Sequence, residues 1–134
     1  MSLYTGARST FCGAGIAKGE TLVLVDGRPL ELRLDLCNHS PTGFEWGYGG
    51  SGPAQLALAI LAHHFSVEEH SGWAPEVARG KESPEAKALA LHQEFKWSWV
   101  FFFGPTWEMT SAQIEAWVQR KRGQINGGYD ARKS

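Results

Sequence analysis

Residues 54–65, AQLALAILAHHF, predict a helix that is apolar on almost every face. A helix of that kind must be covered on several sides, so it is expected at the centre of the fold. It is not a membrane span. The charge-free run from Trp46 to Ala62 holds only about 10 residues of apolar helix, where ~20 are required. Pro53 stands in the expected first turn, with Ser51 or Gly52 as the cap.

The flanking segments supply the cover. TLVLVDGRPLELRL, from Thr21, reads as a β-hairpin: Val23 and Val25 alternate with Leu22 and Leu24, and Asp26-Gly27 gives the turn. Leu30, Leu32 and Leu34 alternate with charged residues in the manner of a half-solvated strand. LYTG near the start is a further strand, and GFEWGY is expected to extend the sheet. Ser83, Pro84 and Glu85 open a second helix whose buried stripe is Ala88, Leu91 and Phe95. WSWVFFF, at 97–103, reads as a short buried strand because both its faces are apolar and Gly104-Pro105 follows. Thr110 and Gln113 form a capping box for a third helix, and Met109 can staple onto Ile114. The predicted fold class is α+β: a small antiparallel sheet, made of the N-terminal hairpin and a late aromatic strand, around a buried central helix with two further helices. One domain covers 1–122, with a long polar loop at 66–82, and 123–134 is a basic, flexible tail.

A chain of 134 residues is enough for one domain with a real core. Its net charge of −1 argues against nucleic acid and anionic membranes as partners. Cys12 and Cys37 have no metal-type spacing, and Arg8 with the early glycines interrupts any signal-like stretch. The expected setting is soluble, reducing and cytoplasmic, with both thiols free.

The candidate site is the loop Gly47-Tyr48-Gly49-Gly50-Ser51-Gly52. It matches GxGxxG in form, but the helix after it runs into the polar SVEEHSGW instead of a parallel strand, so a dinucleotide fold is not expected. No lysine follows the glycines, which excludes a Walker loop. Two readings remain. In the first, the glycines serve only to make a tight turn packed on the core. In the second, the helix N-terminus offers N–H groups, partial positive charge and close approach to an anion. Gly49, Gly50, Ser51 and Gly52 would then hold a phosphate or carboxylate, with Trp46 or Tyr48 stacking on an attached ring.

His39 and Glu45 lie on the connection into this loop and could serve as base and acid. NHSP reads equally as a local turn whose side chains satisfy nearby backbone. No residue is assigned as catalytic, and no metal or cofactor is expected. His63 and His64 are adjacent, so they point to different helix faces, and a solvated helix end explains them, Glu68 and His70 better than zinc does.

NHSPTGFEWGYGGSGPAQLALAIL, from Asn38, resembles the signature of a small domain family of unknown function found in phages, plasmids and microbial genomes. YTG, VDGRPL, RLDL, FKW and W.MTSAQIEAW carry the likeness along the chain, whereas 67–81 carries none of it. The resemblance implies no activity, but it points to accessory functions of mobile elements. The expected function is therefore non-catalytic binding of a nucleotide-like anion, such as a host defence signal, at the glycine loop. The alternative is a protein-interaction module that inhibits a host factor through an aromatic surface, and a hydrolase using His39 and Glu45 comes third. Self-association is left open.

Overall fold

Asp26 and Gly27 both take positive φ, 52° and 83°, the left-handed pair that a two-residue hairpin turn requires. The turn joins β2 (Thr21–Val25) to β3 (Arg28–Pro29). Asp26 also accepts a hydrogen bond from the Leu3 N–H at 2.9 Å, which ties the turn to β1 (Leu3–Arg8). This computed structural model describes residues 2–8, 20–68 and 83–127. Its antiparallel sheet has the order β3-β2-β1-β4, with β4 at Thr106–Thr110. Alternate residues form the buried face: Tyr4, Val23, Val25, Trp107 and Met109. Gly6 faces Trp107 across the ladder, and a Cβ there would stand 2.2 Å from the indole nitrogen, so only glycine fits.

The central helix, α1 (Ser51–Glu68), covers that face. Leu56 to Ala62 are each at most 1% exposed, as the all-round apolar pattern demands. Helix α2 (Pro84–Ser98) packs along it. Gly49 meets Trp97 at one end of the pair and the Phe65 ring meets Lys87 at the other, so α1 and α2 run antiparallel. Ser83 caps α2 through its hydroxyl, which accepts from the Ala86 N–H at 3.1 Å. Helix α3 (Ser111–Gly127) starts at the expected capping box. Thr110 N–H donates to Gln113 Oε1 at 2.8 Å, and Gln113 N–H donates to Thr110 Oγ1 at 3.2 Å. Met109 and Ile114 on either side are both buried in the core. Phe95 and Trp117 join α2 to α3, edge to face at 5.1 Å.

The α+β class is therefore as the sequence predicts, with several elements redrawn. The late strand is not 97–103. Helix α2 absorbs Trp97 and Ser98, Val100–Phe102 form a 3-10 turn, and the strand follows Pro105 instead of preceding Gly104. TWEMT alternates cleanly, whereas WSWVFFF does not, and alternation is what a one-sided sheet selects. The strand expected over Leu30–Leu34 is not formed: β3 ends at Pro29, Leu30 N–H makes one more bond to Val23 O at 3.1 Å, and the chain then turns away, with Arg33 in the left-handed region at φ 57°. GFEWGY adds no strand; there Gly47 N–H donates to Val100 O at 3.0 Å. Helix α1 continues to Glu68, into the segment expected as loop, and α3 continues to Gly127, into the expected tail. The rest of both segments, with Cys12 and His70, lies outside the described residues. Cys37 is a free thiol. Among the described residues, no helix is long and apolar enough to cross a membrane.

Candidate functional site

The glycine loop is built around the protein's own side chains. A Cβ at Gly49 would lie 2.3 Å from the six-membered ring of Trp97, and one at Gly52 would lie 2.6 Å from Cβ of Glu45. One at Gly50 would meet the Tyr48 ring at 2.6 Å. Gly47, at φ 89°, makes the left-handed bend. The first helical bond of α1 runs from Ala54 N–H to Gly50 O at 3.0 Å, so Gly50 holds the cap position expected of Ser51 or Gly52. Ser51 is the first helical residue and is exposed, and Pro53 is the third. No acidic residue lies in the first turn of α1, so its positive end has no complement from its own helix.

Trp46 does not offer a ligand-stacking face. It is 3% exposed, its indole N–H donates to Gly104 O at 2.7 Å, and Trp107 packs edge-on against it. The glycines carry no side chains to cover the core, and Trp46 and Phe44 just before them supply that cover. Tyr48 is 48% exposed and Trp97 52% exposed, both beside the glycines. Phe101 lies 5.3 Å from Trp97, and Phe102, 73% exposed, lies 5.1 Å from Phe101. Trp97, Phe101 and Phe102 thus form a run of rings at the end of α2 and the 3-10 turn, with Tyr48 beside Gly50, next to the glycine that Trp97 covers. Lys96 sits behind it with its ammonium 4.4 Å from the Trp97 ring centre.

Glu45 and His39 are held by different partners. Glu45 takes a two-pronged ion pair from Arg8, at 2.7 and 3.3 Å, and this carboxylate raises the Arg8 pKa against the opposing effect of burial. His39 Nε2 lies 3.0 Å from His92 Nε2. His92 Nδ1 donates to Leu89 O at 2.8 Å, which leaves its Nε2 as acceptor for His39. Burial holds His92 below the ordinary histidine pKa, and the nearby His39 and Lys96 push it the same way against hydrogen bonding to the Leu89 and Ala88 backbone. His63 Nδ1 is 2.7 Å from the Tyr4 hydroxyl, and His64 Nε2 is 2.7 Å from Glu115. The solvated helix end expected for these two residues is corrected: His64 is buried, and burial lowers the His63 pKa. Among the described residues no three metal-ligating side chains come together.

Gln55 organises this region, a role that no motif in the sequence marks. It is fully buried, and its Oε1 accepts from His39 N–H at 2.7 Å and Ser40 N–H at 2.9 Å. Its Nε2 donates to Leu32 O at 2.6 Å and Cys37 O at 3.1 Å. The turn reading of NHSP is thus realised, with Ser40 Oγ also donating to Gly43 O at 2.8 Å. A lone polar residue in an otherwise apolar helix is the signal that could have found it. Two clefts lie elsewhere. One of about 640 Å³ is lined by residues that include Asp26, Arg28, Glu31 and His63. The other, about 350 Å³, lies between the end of α2 and α3 beside Trp99, Trp117 and Arg120.

Fold and site together define a small α+β domain with a packed glycine turn and an aromatic face beside it. The chain belongs to DUF6166, a family of unknown function, whose model matches residues 4–77. The match takes in β1 through α1 and the glycine loop, but not α2. Comparison with curated proteins and with solved structures gave no match.

Proposed function

We propose that this chain is a non-catalytic binding module that engages a partner protein through the face of Tyr48, Trp97, Phe101 and Phe102. The observation that carries this reading is the run of adjoining rings Trp97, Phe101 and Phe102, with Trp97 half exposed and Phe102 73% exposed, and half-exposed Tyr48 on the neighbouring glycine. Exposed apolar clusters of this kind mark interaction surfaces, and aromatic side chains supply most binding hot spots. For an accessory product of a mobile element, the partner would be a host protein. The test is a photo-crosslinking residue placed at Phe102 of the full chain, with Glu108 on the exposed side of β4 as control. A discrete protein adduct at 102 and none at 108 is expected; equal labelling at both would sink the reading.

A small anionic or nucleotide-like ligand at the start of α1 is the second reading. Exposed Ser51, a helix end with no acid in its own first turn and the half-exposed Tyr48 favour it. Against it, Trp97 and Glu45 fill the space that Gly49 and Gly52 open, and Trp46 is withdrawn into the core. Native mass spectrometry of the protein purified from cells tests this second reading by searching for a retained small molecule. A hydrolase built on His39 and Glu45 remains third, because each is engaged with another partner.

A further inference from the structure

We infer that the segment docking on the aromatic face is a peptide of the partner protein carrying an acidic side chain next to an apolar or aromatic one, with its carboxylate reaching Lys96. The inference rests on the interaction-module reading and specifies what that partner presents.

Lys96 is the point of charge complementarity. It lies in the last turn of α2 and is only 7% exposed. Its ammonium is over the Trp97 ring at 4.4 Å. Among the described residues no carboxylate is within ion-pair distance of it. The acids of this region are committed elsewhere: Glu45 to Arg8 and Glu94 to Lys121. The Lys96 stem is covered while its ammonium keeps access to solvent, so it can take a carboxylate delivered together with apolar cover. Burial is the main cause of the lowered His92 pKa one turn away, and the Lys96 charge adds to it in the same direction.

A second source of positive potential meets it. Trp97 rests on Gly49, two residues before α1, and that helix has no acidic residue in its first turn. A cation and a helix N-terminus therefore flank the same exposed rings. One lysine against the Trp97 ring, with Phe101 and Phe102 adjoining, suits a single carboxylate beside a hydrophobic anchor. A polyanion would need a broader basic field than a chain of net charge −1 supplies.

The test is to select a random phage-displayed peptide library on the immobilised full chain and to measure the leading peptide, synthesised with a fluorophore, by anisotropy. The peptide is expected to contain Asp or Glu beside Trp, Phe or Leu. Replacing that acid with its amide should weaken binding about tenfold or more. Lys96→Gln should cause the same loss and Lys96→Arg should restore much of it. Combining the amide peptide with Lys96→Gln should cost no more than either alone. The amide swap leaves the chain untouched, so the proposal can be broken even if Lys96→Gln folds poorly. Binders without an acid, or an acid preference that survives Lys96→Gln, overturn the proposal while the aromatic face stands. Binding indifferent to Phe102→Ser overturns the face as well. A thymidine oligonucleotide that binds as tightly with the same Lys96 dependence would make nucleic acid the occupant. Displacement of the peptide by inorganic phosphate, which itself binds one-to-one, would make it a small anion. Either result overturns the peptide.

Discussion

Two connections meet the N-terminal half of α1, and they are held in opposite ways. The segment from Leu32 to Ser40 is fixed by one buried amide, Gln55, whose four hydrogen bonds reach backbone groups on four different residues. The glycine segment from Gly47 to Gly50 is shaped by ring packing, with Trp97 and Tyr48 lying where its missing side chains would be. The first connection is polar inside and closed, whereas the second is aromatic and faces solvent. A chain can use its most conspicuous motif to make room for its own side chains and still create a surface by doing so, because the rings drawn onto the glycines remain half exposed.

The largest expected effect breaks the closed connection. Gln55→Leu leaves two N–H and two C=O groups in the interior without their partner, each costing about 1–3 kcal/mol if water cannot reach it. We expect a loss above roughly 3 kcal/mol in urea unfolding, a large share of a small domain's stability. Gln55→Glu retains the acceptor for His39 and Ser40 but loses the donor to Leu32 and Cys37, and it also buries a charge, so it should be no milder. A loss below about 1 kcal/mol would mean that water replaces the amide and that the connection is not closed.

Two glycine substitutions separate packing from surface within the open connection. Gly52→Ala pushes a methyl group into Glu45, including its backbone nitrogen at 3.3 Å, and should cost about 1–3 kcal/mol by overpacking. Gly49→Ala meets only the outer ring of Trp97, which is half exposed and can swing away, so stability should fall by less than about 1 kcal/mol. Partner crosslinking from Phe102 should nevertheless drop, because the face is disrupted. If Gly49→Ala proves the more destabilising, Trp97 is a core residue and the aromatic face loses its centre.

How far the sequence disclosed this arrangement follows from which signals are local. The Asp26-Gly27 turn, the Ser83-Pro84 helix start and the Thr110–Gln113 capping box are each written within a few residues, and each appears where expected. The apolar run of α1 announced its own burial. Trp46 and Trp97 were not separable by sequence alone, since both sit in aromatic stretches next to glycine. Only the antiparallel pairing of α1 with α2 brings Trp97 and Lys96 to the loop while Trp46 turns toward Trp107. The strand misplaced at 97–103 has the same origin, because apolar density is not alternation. His39 was legible as a polar residue on a turn, but its partner His92 lies 53 positions away.

Acid should strain the closed connection before the open one. His92, against His39, and His63, against Tyr4, are both held below the ordinary value of 6.5 mainly by burial. Both groups are therefore more readily neutral in the fold than in the unfolded chain, which takes up protons first as pH falls. Their contribution is fully present above 6.5 and is lost as pH drops through 6.5 toward the folded values, by at most about 1.4 kcal/mol per pH unit for each proton. Thermal unfolding between about pH 7.5 and 5.5 should show a falling Tm, with a shallower fall in His92→Gln. A Tm that rises on acidification would reverse the expected sign and mean that charging stabilises the His39–His92 pair.

The smallest effect belongs to Ser51, where the two readings of the glycine loop diverge most cleanly. As an exposed first helical residue after a Gly50 cap, it makes no capping bond that Ser51→Ala would remove. That substitution should change stability by less than about 0.5 kcal/mol, compared with the ~1 kcal/mol expected of a true N-cap. Ser51→Glu places a carboxylate in a first turn that has no acid of its own and should stabilise by about 0.3–1 kcal/mol at low salt, fading as salt is raised. The same carboxylate would compete with an acidic peptide or small anion arriving near Lys96. The combination to expect is a slightly higher Tm with weaker capture of an acidic peptide and an unchanged neutral aromatic contact. If Ser51→Glu leaves acidic and neutral peptides equally well bound, α1 contributes nothing to charge selection, and Lys96 alone must account for it.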